Sequence, residues 1–294
     1  MRDGFRLNAK KMQQETVFCC KIVALIKFAA VLLSPNHLPA INHSRPVGGR
    51  CIRLTVKFPA GIRRDSGFTL LELLVVVTLI AGLAVLAVYG TQRALTAAKQ
   101  SACSANLRNL GVALHVYAQD HDGKFPETTH TQDLEAAWIY QLKEYLGDFE
   151  KSRVCPADPN AAERIKAKGT SYVLNSYIFV PEIGPFGDPV GPQLNRLAAI
   201  PEPSRTLIAF VCSDSTGPGP GNDHTHSNQW SSWDAVCQDI SPDRFGGNDK
   251  DHLAGRSNYL FVDGRVESIR ATDLKRRTDS GENVAKPPGI EELP

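Results

Sequence analysis

Residues 66–90, SGFTLLELLVVVTLIAGLAVLAVYG, decide the fold of this chain. From 68 to 88 the segment is almost wholly apolar, and its single charged side chain is Glu72. About 20 consecutive apolar residues suffice for a helix to cross the hydrocarbon core of a bilayer. We therefore predict a membrane-spanning helix at 68–90. An ionised carboxylate in lipid costs about 3 kcal/mol or more, so Glu72 calls for a partner and a role.

Charge around this segment predicts its orientation. Arg63 and Arg64 precede it closely, and positive residues favour the cytoplasmic side. We expect a single-pass protein of the bacterial inner membrane, with a cytoplasmic N-terminus and a C-terminal domain in the periplasm or in an extracytoplasmic fibre. The net charge of +2 over 294 residues argues against a nucleic-acid partner, which calls for a basic face.

The residues before the span are interpreted as a leader, 1–67. A secretory signal has a shorter apolar part, and a small-residue cleavage site follows it, whereas here the small residue Gly67 precedes the apolar run. Three alternatives stay open for the rest: a long leader, an over-extended start with translation beginning near Val56, or a second span at 17–33.

A basic leader followed by GFTLLELL resembles the class III signal of type IV prepilins and type II secretion pseudopilins. The resemblance implies that a prepilin peptidase cuts between Gly67 and Phe68 and that Phe68 is then N-methylated. It also implies an assembly role for Glu72, at the fifth mature position. A plain anchor with a stray glutamate would leave the glycine, the leader and the glutamate spacing as coincidences.

Physical reasoning supports this role for Glu72. Cleavage creates an amine on Phe68, one helical turn from Glu72. In a fibre, the amine of a displaced neighbouring subunit could reach this carboxylate. Pairing two buried charges offsets much of their desolvation cost, and an offset pair sets the register between subunits.

The helical pattern continues beyond the span. Cys103, Leu107, Leu110, Leu114 and Tyr117 recur at spacings of four, three, four and three, which is one apolar stripe. We predict one helix over 69–117. Its part within 91–120 is amphipathic and packs on the C-terminal domain.

An exported globular domain is predicted at 121–275, followed by a flexible tail at 276–294. Asp263-Gly264 lies between two alternating runs and predicts a hairpin with a two-residue turn in which both residues take positive φ. The expected class is α+β, pilin-like, with the long helix packed on a small antiparallel sheet. A short helix is expected at 134–146 and strands at 171–180, 206–212, 258–262 and 265–270.

A second resemblance covers this domain in pieces. The stretches CSANLRNLGVALHVYAQDHDGKFP, CPADP and HLAGRSNYLFVDGRV resemble prepilin-like proteins with a C-terminal H-x9-DG signature. This sequence departs from the pattern, because ten residues rather than nine separate His252 from Asp263. The departure leaves the hairpin prediction intact and puts any role of His252 in doubt.

Four cysteines lie beyond the span: Cys103, Cys155, Cys212 and Cys237. Exported cysteines in an oxidising compartment favour disulfides, and four allow three connectivities. Pairing Cys212 with Cys237 would close the long polar loop between them. Cys103 with Cys155 would then tie the helix to the domain, although Cys103 could equally be a small core residue of the stripe.

Metal ligands are considered next. A zinc site drawn from His224, His226 and their neighbours matches no known spacing. Calcium is the better candidate, because Asp223, Asp249 and Asp251 lie in stretches rich in oxygen ligands. A solvated polar loop without metal is the favoured interpretation, so no cofactor is expected.

No catalytic motif occurs, so no enzyme is predicted. Two hypotheses are kept. The first is a structural subunit that the prepilin peptidase processes, that lies in inner-membrane lipid, and that polymerises with other pilin or pseudopilin subunits into a pilus or type II secretion pseudopilus. The alternative is a membrane-tethered, exported ligand-binding module that does not polymerise.

Overall fold

A computed structural model describes residues 69–128, 133–183, 185–246 and 250–290. The leader, with its alternative start and its segment 17–33, lies outside the described residues. So do Gly67, Phe68 and Asp249.

One long helix dominates the described chain. Helix α1, Leu70–Asp120, has 51 residues, or roughly 75 Å at 1.5 Å per residue. It contains no proline, and Thr69 caps its start. It ends at a turn in which Asp122 and Gly123 take φ of 54° and 79°. The predicted helix is thus confirmed, with its end three residues later than expected.

The two halves of α1 have opposite surroundings. Every residue from 69 to 98 is exposed, whereas the second half buries Cys103, Leu107, Leu110 and Leu114 along the predicted stripe. Tyr117 is half-buried. This face packs on the sheet so closely that a Cβ on Gly111 would stand 3.0 Å from a methyl of Leu260.

The sheet against α1 has four antiparallel strands in the order β1-β4-β5-β6. Two short strands, β2 and β3, form a separate antiparallel pair. The predicted α+β class, with a long helix on a small antiparallel sheet, is confirmed. The bounds are β1 Tyr172–Leu174, β2 Glu182–Ile183, β3 Pro189–Val190, β4 Leu207–Val211, β5 Arg256–Phe261 and β6 Val266–Arg270.

Short helices surround this sheet. They are α2 Trp138–Gln141, α3 Phe149–Ser152, α4 Ala161–Lys166, α5 Ser176–Phe179, α6 Trp233–Asp239 and α7 Ala271–Asp279, with 3₁₀ turns at Lys143–Tyr145, Leu197–Ala199 and Ser227–Gln229. The single helix expected at 134–146 is broken. Its backbone is extended at Ala137 and tightens to a 3₁₀ turn after Leu142. This break lets Trp138, Ile139 and Leu142 all be fully buried.

The β5–β6 hairpin forms where predicted, with a different turn. The backbone N–H of Gly264 donates to Phe261 O at 3.0 Å, and that of Phe261 donates to Arg265 O at 2.8 Å. These bonds define a three-residue loop, 262–264, in which Gly264 alone has positive φ, 85°. The expected two-residue turn is wrong because Val262 is fully buried and stays with the core.

The C-terminal segment is folded, which contradicts the expected flexible tail at 276–294 over its described part. Helix α7 crosses the expected boundary at 275, and Leu274, Val284 and Ala285 are buried. The Asn175 amide donates to Ala285 O at 2.6 Å and so holds this segment against the sheet.

Packing on α1 predicts the effect of core substitutions. Leu107→Ala is expected to lower the free energy of unfolding by about 2–5 kcal/mol, because it leaves a cavity beneath the helix. Val112→Ala, on the same helix at 63% exposure, should change it by less than about 0.5 kcal/mol. Urea unfolding of the full chain in detergent, followed by tryptophan fluorescence, measures both. Equal effects of the two substitutions would contradict this packing.

Candidate processing and assembly site

The start of α1 is a capping box formed by Thr69 and Glu72. Thr69 has extended backbone, φ −73° and ψ 147°, and its hydroxyl accepts from Glu72 N at 3.2 Å. In return, Glu72 Oε2 accepts from the backbone N–H and the hydroxyl of Thr69, both at 3.0 Å. Two amide donors that a helix start leaves unpaired are thus satisfied reciprocally.

This arrangement directs the Glu72 carboxylate toward the helix start. The carboxylate is bonded to Thr69, the residue that directly follows the predicted new terminus at Phe68. A negative charge here is also favoured by the partial positive charge of the helix N-terminus. Glu72 is therefore oriented within its own chain and lies on an exposed surface where a second chain can approach.

Thr69 is a site residue that sequence reasoning missed. The signal was present as TLLE at 69–72, which matches the capping-box pattern of a threonine followed three residues later by a glutamate. The resemblance implies roles for Gly67, Phe68 and Glu72 and none for Thr69.

The exposed half of α1 presents a continuous apolar surface. Leu70, Leu83 and Leu86 are 86%, 66% and 69% exposed, and they are typical of this half. The helix is long and apolar enough to span a membrane, and its apolar window is wholly unburied within the chain. A contiguous apolar surface of this size requires lipid or other protein around it.

The four cysteines of the predicted disulfides are free thiols in this structure: Cys103, Cys155, Cys212 and Cys237. Cys212 is fully buried and Cys237 half-buried, and burial raises the pKa of each thiol to about 12. Their charged neighbours differ: Arg164 lies near Cys212 and Asp243 near Cys237. The Cys212–Cys237 disulfide stays a prediction.

The calcium candidates take separate positions. Asp223 is fully buried and bonded to His224 Nδ1 at 2.8 Å, whereas Asp251 is exposed. Within the described ranges, no three His, Cys, Asp or Glu side chains converge as a metal site would require. Calcium binding stays a prediction.

His252 lies in the segment just before strand β5. It takes positive φ, 54°, and its Nδ1 lies 3.1 Å from Asp243 Oδ1. The Asp263-Gly264 turn is placed at the β5–β6 hairpin and against the C-terminal part of α1, where Gly264 Cα lies 3.5 Å from the Cβ position of Gly111.

An open cavity of about 570 Å³ lies on the sheet domain. Its walls include Tyr177, Asn195, His224, His226 and Lys286. A volume of this size is typical of small-molecule sites, which run from about 300 to 1,000 Å³.

Comparison with known proteins gives one match. A family model described as the prokaryotic N-terminal methylation motif matches residues 62–88. No curated protein and no solved structure matches the chain. The matched segment contains Gly67, Phe68, the Thr69–Glu72 capping box and the exposed apolar start of α1.

Proposed function

We propose, since the N-terminal methylation motif makes this chain type IV pilin- or pseudopilin-like, that it is a structural subunit of a pilus or a type II secretion pseudopilus. A prepilin peptidase cleaves it after Gly67 and methylates the new amine of Phe68. The mature subunit is anchored in the inner membrane by α1 and then assembles with other pilin or pseudopilin subunits through the same helix.

The observation that carries this proposal is the match at 62–88 on a helix whose first half is unburied. A helix that only anchored a domain would need apolar residues and nothing else. The matched segment also contains the Gly67–Phe68 junction, where we place the cleavage, and a carboxylate about one turn after it. The motif likewise favours a structural subunit over an enzyme.

The energetics of Glu72 fit subunit assembly. In lipid, the Glu72 carboxylate of a single chain accepts from two donors, both on Thr69. Among the described residues, no positively charged side chain pairs with it. The Phe68 amine of a neighbouring subunit would supply that charge, and a desolvated pair with extra hydrogen bonds is the arrangement in which attraction best offsets desolvation. The capping box therefore prepares Glu72 to receive the amine.

The same proposal assigns the topology. The basic residues Arg63 and Arg64 stay in the cytoplasm with the leader, and the sheet domain lies outside. Helix α1 connects the membrane to the sheet domain. The stripe on its second half is buried on the sheet, while its first half remains available to lipid.

The mature N-terminus tests this processing. We expect mass spectrometry of the membrane-inserted protein to find N-methyl-phenylalanine at Phe68, because the leader, the glycine junction and the helix start follow the motif in order. The precursor from cells lacking the prepilin peptidase serves as the control. An intact leader on the inserted protein in peptidase-positive cells would contradict the proposal.

A second candidate function rests on the cavity beside His224. The exported domain would then bind a small polar ligand, and α1 would serve only as its tether. Assembly into fibres distinguishes the two candidate functions, because a helix that only tethers a domain does not have to enter a fibre. Recovery of the chain in sheared fibres favours the structural subunit, and its confinement to the membrane favours the tethered module.

A further inference from the structure

Two cysteines far apart in sequence meet inside the core. Cys103 on α1 and Cys155, just after α3, are both fully buried and belong to the hydrophobic cluster between helix and sheet. Their thiols lie close enough to interact directly. Among the four described cysteines, this is the pair whose thiols the structure brings together.

The position of Cys155 is held from two sides. From α1, the Asn106 amide donates to Lys151 O at 2.8 Å and to Val154 O at 3.0 Å. Asn106 lies three residues after Cys103, so both side chains project from one face of the helix. From the sheet side, the Thr170 hydroxyl donates to Arg153 O at 2.8 Å. The backbone that carries Cys155 is therefore fixed against the turn of α1 that carries Cys103.

The contacts of the two thiols in the folded domain differ. The Tyr172 hydroxyl donates to Cys103 Sγ at 3.6 Å. The hydrogen bond from Cys155, with smaller contributions from Tyr172 and Asn258, lowers the pKa of Cys103 against the effect of burial. That same bond and burial raise the pKa of Cys155. Both shifts belong to the docked pair, in which each thiol is the main partner of the other.

We propose that Cys103 and Cys155 are joined by a disulfide in the exported protein, which links α1 covalently to the sheet domain. The oxidant is a disulfide-bearing thiol oxidant of the extracytoplasmic compartment, so the bond in cells rests on the proposed export. The thiolate of one cysteine attacks the oxidant and displaces one of its thiolates. The thiolate of the second cysteine then attacks the sulfur of the first and displaces the other thiolate of the oxidant. Two electrons pass to the oxidant, which becomes a dithiol, and the two cysteines lose their protons.

Burial sets when this bond can form. Because both sulfurs are fully buried in the folded domain, exchange takes place while the segment around Cys155 is still docking on α1. Once the domain has closed, the bond is shielded from reductants. The exposed half of α1 and the domain would then stay attached even where force on a fibre opens the non-covalent contacts between them.

Peptide mapping of the full chain tests the pair. Membranes are treated with an alkylating agent, denatured without reductant, alkylated again and digested. We expect a cross-linked peptide pair containing Cys103 and Cys155, which reductant separates. In the matched control Cys237→Ser the pair should persist, and in Cys155→Ser it should vanish. Recovery of Cys103 and Cys155 as alkylated free thiols in wild type, together with a negative result in the next experiment, would overturn the proposal.

Purified full-length protein in detergent separates this pairing from export. Reduced protein refolded with glutathione disulfide is expected to form the same link. Linkage in this experiment but not in cells would support the pairing and contradict export, whereas no linkage in either experiment would overturn the pairing. The link closes a long loop, so Cys155→Ser should lower the melting temperature by about 10 °C. Refolding under reductant should produce a similar shift in Cys237→Ser and none in Cys155→Ser.

Discussion

A Glu72→Ala chain is expected to be cleaved, methylated and inserted in the membrane, yet to be missing from fibres. The substitution leaves the Gly67–Phe68 junction and the buried stripe of α1 unchanged. It removes the carboxylate that would compensate a neighbour's buried amine. Losing one partner of a buried ion pair costs about 3–5 kcal/mol, which lowers the association constant between subunits by roughly 100-fold or more.

The capping box makes a sharper experiment possible, because Glu72 has two separable roles. Glu72→Gln keeps a side-chain oxygen that can accept from Thr69 N and loses the charge. Thr69→Val removes the hydroxyl of the cap and keeps the charge, at about 1 kcal/mol of helix stability. If charge pairing drives assembly, Glu72→Gln fails to assemble and Thr69→Val assembles.

Recovery of sheared fibres, with processing scored on the same samples, measures all three variants. If Thr69→Val fails to assemble as completely as Glu72→Ala does, then assembly requires the cap rather than the charge. Wild-type fibre yield from Glu72→Ala would contradict any assembly role of this residue and favour the tethered module.

Gly67→Leu is expected to abolish processing. A glycine before the scissile bond lets a peptidase approach the backbone closely, and a branched side chain at that position obstructs the approach. The precursor should still insert, because its apolar span is intact. Gly67→Ala, with the smallest added side chain, should slow cleavage without stopping it.

Gly82→Leu is the matched control for this substitution. It introduces the same side chain into the span, where a Cβ on Gly82 meets nothing within 4 Å inside the chain. Mass spectrometry of the intact protein should therefore find Gly82→Leu at the mature mass and Gly67→Leu at the precursor mass. A mature mass for Gly67→Leu at wild-type yield would place the cleavage site elsewhere.

Local sequence determined the long helix, its cap and the hairpin. An unbroken helical pattern with a capping box specifies α1 through contacts three and four residues apart. Asp263-Gly264 likewise specifies a turn, although the burial of Val262 decided that the loop has three residues. The N-terminal methylation motif is also local, since it occupies one continuous segment, 62–88.

Tertiary structure alone decided which distant residues meet. Cys103 and Cys155 are brought together by Asn106 and Thr170, which no spacing along the chain reveals. The polar residues and prolines after α7 predict a flexible tail. The buried amide of Asn175 nevertheless donates to Ala285 O and holds this segment against the sheet. Such contacts depend on the order of strands in the sheet and on the face that α1 covers. Sequence periodicity therefore determined which face of each element is buried, and only the packed sheet determined what that face is buried against.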